Sequence, residues 1–265
     1  MSDASTPIGV FDSGLGGLSV LLEIRKLLPS EDVVYYGDSA HCPYGGRPPE
    51  YILNRSTAVV GYLVQRGVKL VVVACNTASS VVLSELRSRF HVPIVGMVPA
   101  VKPAAAATRT GKIGILATPR TVTGESLAAL IREHARGTKV INVPAPRLVE
   151  LVEEGRLEGP EVDAALQPLV CPLLERGVDT LVLGCTHYAF LHGAIRRMGG
   201  PELAIIDSGE AVARRTRDVL DKAGLLCADE GEGSFELVTS GDPEHVAKVA
   251  SRLLRQKVAA SHLPL

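Results

Sequence analysis

Two cysteines, Cys75 and Cys185, are the residues of this sequence best placed to do chemistry. Each ends an apolar run and is followed directly by two polar residues, Asn76 and Thr77 after the first and Thr186 and His187 after the second. This pattern predicts that a buried strand ends at the cysteine and that a helix begins after it. The N-terminus of a helix lowers the pKa of a thiol and binds carboxylates. Both cysteines are therefore candidate acid–base groups for an anionic ligand.

Two thiols that face one carbon atom from opposite sides suit the inversion of a stereocentre. The reaction needs a base on one face and an acid on the other, and a thiol with a pKa of about 8.5 can serve as either. Without an electron-sink cofactor, the carbanion would depend on positioning, desolvation and hydrogen bonds to the substrate carboxylate. The resulting hypothesis is a cofactor-independent amino-acid racemase. The alternative is that both cysteines are small apolar core residues.

Asp12 is the candidate helper of Cys75. Asp12 and Ser13 follow the apolar run 8–11 and open a glycine-rich turn. The turn is not a dinucleotide-binding motif, because Ser19 occupies the place of its third glycine. We expect Ser13 to hold a substrate group and Asp12 to orient or deprotonate the cysteine. A plain helix cap is the simpler interpretation of Asp12.

His187 is the candidate helper on the other side, two residues after Cys185. A lone histidine can equally be a structural residue. No C-x-x-C or H-x-x-x-H pattern accompanies it, so the sequence predicts no metal site.

Short apolar runs alternate with helical patterns along the chain. Several runs are nearly continuous Val, Ile and Leu, which is typical of parallel strands covered on both faces. Strand–helix alternation at this spacing predicts an α/β fold, in which mainly parallel sheets are flanked by helices. The predicted strands are 33–36, 70–74, 94–98, 113–116, 140–143, 181–183, 204–206 and 235–239.

An internal repeat relates the two cysteines. The segments 63–77 and 173–187 share Leu, Arg, Gly, Val and Cys at equivalent places, with an offset of 110 residues between the cysteines. Two similar domains related by pseudo-twofold symmetry are predicted, with the active site between them. Prolines near 99–103 mark the expected boundary between the two domains. The predicted division is 1–98 plus 208–265 for the first domain, with Cys75, and 99–207 for the second, with Cys185.

The composition excludes several classes of function. The formal net charge is −1, from 28 basic and 29 acidic residues, so the chain has no excess of basic residues that would bind nucleic acid or an anionic membrane. No apolar stretch approaches the roughly 18 residues of a spanning helix, and residues 1–6 do not resemble a signal peptide. Five widely spaced cysteines predict free thiols. A cytoplasmic protein without a nucleic-acid or membrane partner is expected.

Four blocks of residues stand out together. They are 11–17 (Phe-Asp-Ser-Gly-Leu-Gly-Gly), 42–45 (Cys-Pro-Tyr-Gly), 74–78 (Ala-Cys-Asn-Thr-Ala) and 184–188 (Gly-Cys-Thr-His-Tyr). In this order and spacing they resemble the bacterial glutamate racemases, and the resemblance covers roughly residues 7–220. The related aspartate racemases instead have a Gly-Gly-Met-Gly-Pro turn in the first block and Glu after the second Cys-Thr.

The resemblance implies a role for each cysteine. Cys75 would take the α-proton from D-glutamate and Cys185 would take it from L-glutamate, with Asp12 and His187 as their helpers. The resemblance also implies that D-glutamate is supplied to peptidoglycan synthesis. The implied substrate contacts are Asp12, Ser13, Tyr44, Gly45, Asn76, Thr77, Thr186 and His187.

The resemblance further implies an auxiliary acid at Glu153. Its neighbours Glu150 and Glu154 leave the register open, and a solvated helix face would also explain the three glutamates. Gly46 departs from the family, in which proline is common at this place, without touching the proposed chemistry.

Three alternatives stay open. An aspartate or broad-specificity racemase would differ in which amino acid it turns over. A non-catalytic two-lobed sensor would bind glutamate without exchanging its α-proton. A thiol-redox protein is disfavoured, because neither cysteine has a resolving partner nearby in sequence. We expect L- or D-glutamate as the small-molecule partner. A homodimer is one of the assemblies that the sequence leaves open. No cofactor is expected, since no lysine in the four blocks could hold pyridoxal phosphate.

Overall fold

The computed structural model describes residues 3–228 and 231–265. The strands that form there pair in parallel with their neighbours. The two strands that lead into the cysteines are buried along their whole length, as expected for strands covered by helices. The strands are β1 (Ile8–Asp12), β2 (Val33–Gly37), β3 (Leu70–Val73), β4 (Ile94–Val95), β5 (Lys112–Ala117), β6 (Lys139–Pro144), β7 (Thr180–Leu183), β8 (Ala204–Ile206), β9 (Phe235–Thr239) and β10 (Ser261–His262).

Helices connect the strands, as the periodicity predicts. The second of them begins with Pro49, in the first turn where a missing N–H is harmless, and is followed by Gly67 with a φ of 76°. The helices are α1 (Leu18–Leu27), α2 (Pro49–Gln65), α3 (Asn76–Arg89), α4 (Val101–Ala107), α5 (Pro119–Thr123), α6 (Glu125–His134), α7 (Arg147–Glu153), α8 (Pro160–Glu175), α9 (His192–Gly199), α10 (Gly209–Ala223) and α11 (Pro243–Leu254).

The strand order repeats between two sheets. The larger sheet has the order β10-β9-β2-β1-β3-β4 and the smaller one β6-β5-β7-β8. The run β2-β1-β3-β4 therefore corresponds strand for strand to the whole smaller sheet. Its register corresponds too, since Ile8 pairs with Leu70 and Ile113 pairs with Thr180. The predicted α/β fold with two similar parallel sheets is confirmed.

One glycine in the first strand of each repeat allows close packing. A Cβ on Gly9 would lie 3.2 Å from Leu63, and a Cβ on Gly114 would lie 2.8 Å from Leu173. The two leucines lie on α2 and α8, at equivalent places of the sequence repeat. Each glycine thus lets the helix that precedes the cysteine-bearing strand approach the neighbouring strand.

The predicted strand 94–98 is too long, since β4 ends at Val95. Backbone groups beyond it bond to side chains instead of to a strand. The Met97 N–H donates to Ser79 Oγ at 3.1 Å, and the Val98 carbonyl accepts from Ser208 Oγ at 2.6 Å. These bonds draw the chain out of the sheet.

The C-terminal segment lies on the larger sheet. β9 pairs with β2, and α10 packs against α1. The division into 1–98 plus 208–265 and 99–207 stays a prediction. Among the described residues, no helix has both the length and the apolar character needed to cross a membrane.

Candidate active site

Cys75 and Cys185 follow β3 and β7 directly, at the sheet edge where parallel α/β proteins bind ligands. Both are buried, with 6% and 7% of their surface exposed. They line one small cavity of about 10 Å³. All predicted contact residues except Asp12 line the same cavity: Ser13, Tyr44, Gly45, Asn76, Thr77, Thr186 and His187. The fold thus brings together blocks from distant parts of the chain.

Cys75 caps the helix that follows it. Its sulfur accepts the Ala78 N–H at 3.5 Å, at the N-terminus of α3. The thiol donates to Ser13 Oγ over 3.7 Å. Burial raises the pKa of Cys75, and the negative charge of Asp12 raises it further. Cys75 therefore rests as a thiol, the form that can deliver a proton.

Asp12 ends β1 and is fully buried. Its Oδ2 accepts the Gly17 N–H at 2.9 Å, while Oδ1 has no hydrogen-bond partner among the described residues. Burial raises the pKa of Asp12, and the positive charge of His187 opposes this shift. The cap position of α1 is Gly17 rather than Asp12. A buried carboxylate oxygen without a partner is costly, and such groups concentrate where ligands or protons are handled.

His187 joins Cys185 to Glu153. Its Nδ1 lies 3.6 Å from Cys185 Sγ, and its Nε2 lies 2.6 Å from Glu153 Oε1. Burial lowers the pKa of His187, but hydrogen bonds to both nearby cysteines and to the glutamate outweigh it and hold the pKa well above its ordinary value. The Gly16 N–H also points at Nε2 from 3.2 Å, but the shorter, charge-assisted bond to the carboxylate dominates. His187 is thus held as an imidazolium beside the sulfur of Cys185.

Glu153 is the one of three neighbouring glutamates that reaches the site. It is the last residue of α7, and its Oε1 accepts the Leu15 N–H at 2.6 Å as well as contacting His187. Glu150 and Glu154 form ion pairs with arginines at the surface. The helix therefore turns Glu153 inward and leaves its neighbours solvated.

Asn76 is buried, yet neither its amide oxygen nor its amide nitrogen has a hydrogen-bond partner among the described residues. A buried amide in this state is a group prepared to bind a ligand. Next to it, Thr77 Oγ1 lies 2.9 Å from Thr118 Oγ1. Thr118 also lines the cavity but was not predicted from the sequence. It follows β5 as Ser13 follows β1, so the repeat carries a signal that could have found it.

Tyr44 and Gly45 close the cavity on one side. The Tyr44 hydroxyl donates to Asp38 Oδ2 at 2.6 Å, and Arg55 donates to the same oxygen at 3.0 Å. Burial raises the pKa of Asp38, but these bonds outweigh it and lower the pKa. A Cβ on Gly45 would lie 2.7 Å from Thr118 Cβ. The Tyr44 hydroxyl is therefore held by Asp38, and glycine is needed beside Thr118.

The cavity is closed in this structure. Its volume of about 10 Å³ is close to that of a single water position. An amino acid needs far more room, so the two sides must separate before a substrate enters. The bond between Thr77 and Thr118 joins two residues that line the cavity.

The fold and the site define a class of protein, a two-sheet α/β protein in which two buried thiols line one cavity. Comparison with known proteins gives the family. The model of the Asp/Glu/hydantoin racemase family matches residues 8–216. The glutamate racemase of Deinococcus radiodurans is 49% identical over 263 residues, which cover 98% of this chain and 91% of that protein.

Solved structures agree. A glutamate racemase isoform of Bacillus anthracis superposes with a TM-score of 0.89 at 32% identity, over 98% of each chain. The Escherichia coli glutamate racemase, solved with L-glutamate and the activator UDP-MurNAc-ala, superposes with a TM-score of 0.86 at 34% identity, again over 98% of each chain. The chain belongs to the Asp/Glu/hydantoin racemase family, among its glutamate racemases.

Proposed function

We propose that this chain interconverts L- and D-glutamate by acid–base chemistry between Cys75 and Cys185, without pyridoxal phosphate or a metal cofactor. One observation carries the proposal: two buried thiols, each at the end of an equivalent strand of a repeated sheet, face the same cavity. The relatives named above are glutamate racemases, and the E. coli protein was solved with L-glutamate.

In the L-to-D direction, Cys185 acts as the base. The His187 imidazolium, 3.6 Å from its sulfur, stabilises the thiolate that takes the α-proton. Cys75, held as a thiol by burial and by the charge of Asp12, delivers its proton to the opposite face. The turnover leaves a thiol at Cys185 and a thiolate at Cys75, which is the form that works in the D-to-L direction. Proton exchange with solvent restores the first form.

Substrate binding uses the N-terminus of α3. The backbone N–H groups there and the unpartnered Asn76 amide suit a carboxylate. Ser13 and Thr186 line the cavity as further hydroxyl donors. Because the buried site excludes water, these bonds stabilise the negative charge that develops as the α-proton leaves.

A circular dichroism assay tests the proposal. Purified protein, dialysed and treated with chelator and borohydride, should drive the signal of L-glutamate to zero, and D-glutamate should behave as its mirror image. Activity that returns only after pyridoxal phosphate is added would contradict the proposal. L-aspartate serves as the comparison substrate. Comparable turnover of aspartate would support the broad-specificity alternative, and glutamate binding without loss of signal would support the sensor.

The biological setting completes the proposal. D-Glutamate made by this chain would serve peptidoglycan synthesis in the cytoplasm, and a homodimer is the proposed assembly. Sedimentation velocity at several protein concentrations tests the assembly, because a monomer at every concentration would exclude the homodimer.

A further inference from the structure

Cys42 lies beside the catalytic groups but has no part in the proposed reaction. Its sulfur, one oxygen of Glu153 and one ring nitrogen of His187 all lie within 4.8 Å of one another. Burial raises the pKa of Cys42 to about 12, so it rests as a thiol. The three groups come from distant parts of the chain, which is why no metal spacing is visible in the sequence.

The three groups match the preferences of one kind of ion. Thiolate, imidazole and carboxylate together are the ligands of zinc, which takes three protein ligands and leaves a fourth position open in many sites. Bond lengths of about 2.0–2.3 Å in a tetrahedral site separate ligand atoms by about 3.3–3.6 Å. The 2.6 Å between His187 Nε2 and Glu153 Oε1 would need to widen by less than about 1 Å to reach that spacing.

A larger cavity gives an ion access from solvent to this group of side chains. A cavity of about 690 Å³ opens onto Cys42 and Glu153. Asp242 also lines it, whereas the carboxylates of Glu150 and Glu154 on its wall are paired with Arg147 and Arg156. The outer cavity thus connects solvent to two of the three candidate ligands.

We propose that Cys42, Glu153 and His187 form an inhibitory site for a divalent transition-metal ion, with Zn²⁺ as the ion that fits best. Binding forms bonds from the ion to Sγ, Oε1 and Nε2, and releases to solvent the Cys42 thiol proton and the proton between His187 and Glu153. To admit the ion, His187 Nε2 and Glu153 Oε1 must move apart from their 2.6 Å contact, which shifts the ring from its place 3.6 Å from the Cys185 sulfur. Racemisation is inhibited because the base of the L-to-D direction loses the placement of its helper.

The inhibition rests on the proposed function, whereas metal binding can be measured without it. Metal-free full-length protein is titrated with Co²⁺, and thiolate-to-cobalt absorption in the near ultraviolet is followed. Wild-type protein should show the band, and Cys42→Ser should lose it. Cys171→Ser, at a half-buried cysteine on α8, is the matched control and should keep it. Cys185→Ser should also keep the band, although it is inactive.

A Zn²⁺ titration of racemisation completes the test, with each variant compared to its own metal-free rate. Cys42→Ser and Glu153→Gln should each raise the inhibitory Zn²⁺ concentration at least about tenfold, since even the loss of a residue that only supports a ligand lowers metal affinity about 10–100-fold. A band that disappears in Cys185→Ser but persists in Cys42→Ser would place the metal on the catalytic thiol and overturn the proposal. A band through Cys42 in a protein without racemase activity would sink the proposed function and leave the metal site standing.

Discussion

The surroundings of Cys75 and Cys185 differ in charge although their backbones are repeats of one another. Cys75 caps a helix and has the buried carboxylate of Asp12 nearby, which favours the thiol. Cys185 precedes a 3₁₀ turn at Thr186–Leu191, with no N–H bonded to its sulfur as a cap, and faces the ring of His187. The same fold element thus places one thiol beside a buried carboxylate and the other beside a cationic ring.

In the proposed reaction, a symmetric fold would prepare two unlike steps. Each strand end would supply the position of a thiol, and the helper beside it would supply charge. At equilibrium L- and D-glutamate are equally populated, so kcat/KM must be equal in the two directions. The difference between the two sides can therefore appear only in how kcat and KM are divided in each direction.

Removal of either thiol should have the largest effect. Cys75→Ala and Cys185→Ala should each lower kcat about 10³-fold or more in both directions, because one face then lacks its acid or base. Racemisation followed by circular dichroism measures the loss. Cys227→Ala, at a half-buried cysteine that does not line the cavity, is the control and should retain activity. A Cys185→Ala enzyme with a near wild-type rate would refute the roles given to both thiols.

Removal of the charged helpers should have the next largest effect and should differ between the sides. His187→Asn should lower kcat by about 10²-fold in the L-to-D direction and less in the D-to-L direction, with KM changing to keep the ratios equal. Asp12→Asn should show the reverse pattern. Separate kcat and KM values for both enantiomers measure it. Equal losses of kcat in both directions for both variants would show that the two sides are not distinguished by charge.

Glu153→Gln should have a smaller effect, about tenfold, which corresponds to about one unit in the pKa of His187. The Glu153 carboxylate helps to raise that pKa, so without it His187 loses its proton at lower pH. The basic limb of the L-to-D pH–rate profile should therefore move to lower pH. Glu150→Gln, on the solvated side of the same helix, is the matched control. If both profiles coincide with wild type, Glu153 does not act through His187.

The glycines of the repeat should show the smallest effect, on stability rather than on chemistry. Gly9→Ala and Gly114→Ala should each destabilise the fold by about 1–3 kcal/mol through overpacking. Gly114→Ala should be the worse, because its Cβ would lie 2.8 Å from Leu173 against 3.2 Å from Leu63 for Gly9. Thermal or urea unfolding measures the difference. A larger loss for Gly9→Ala would mean that the first repeat packs more rigidly than its contacts indicate.

Much of the fold could be predicted because the signals are local. Continuous Val and Leu runs such as Leu70–Val73 and Leu181–Leu183 mark buried strands, and the repeat of Leu-x-x-Arg-Gly-Val before them marks equivalent units. The length of β4 was not predictable, since it depends on bonds from Ser79 and Ser208 that exist only in the folded chain.

The residues of the candidate site also fall into those that the sequence predicts and those that it does not. Both cysteines and the polar residues after them follow from strand ends, and the fold brings them to one cavity. The register of Glu153 could not be read from three adjacent glutamates, because it depends on how α7 faces the turn after β1. The role of Asp38, which accepts the Tyr44 hydroxyl bond, could not be predicted from the sequence. Its pairing with Arg55 arises only when the chain folds.

Isotope incorporation tests the central claim, that two thiols act from opposite faces, most directly. L-Glutamate is converted in heavy water, and the first D-glutamate formed is analysed by mass spectrometry after chiral separation. Cys185 removes the protium and Cys75, already exchanged with solvent, delivers deuterium. The account predicts nearly complete deuterium at Cα of the early D-glutamate, while the remaining L-glutamate stays largely protiated. Early product that keeps substrate-derived protium would show that a single base serves both faces.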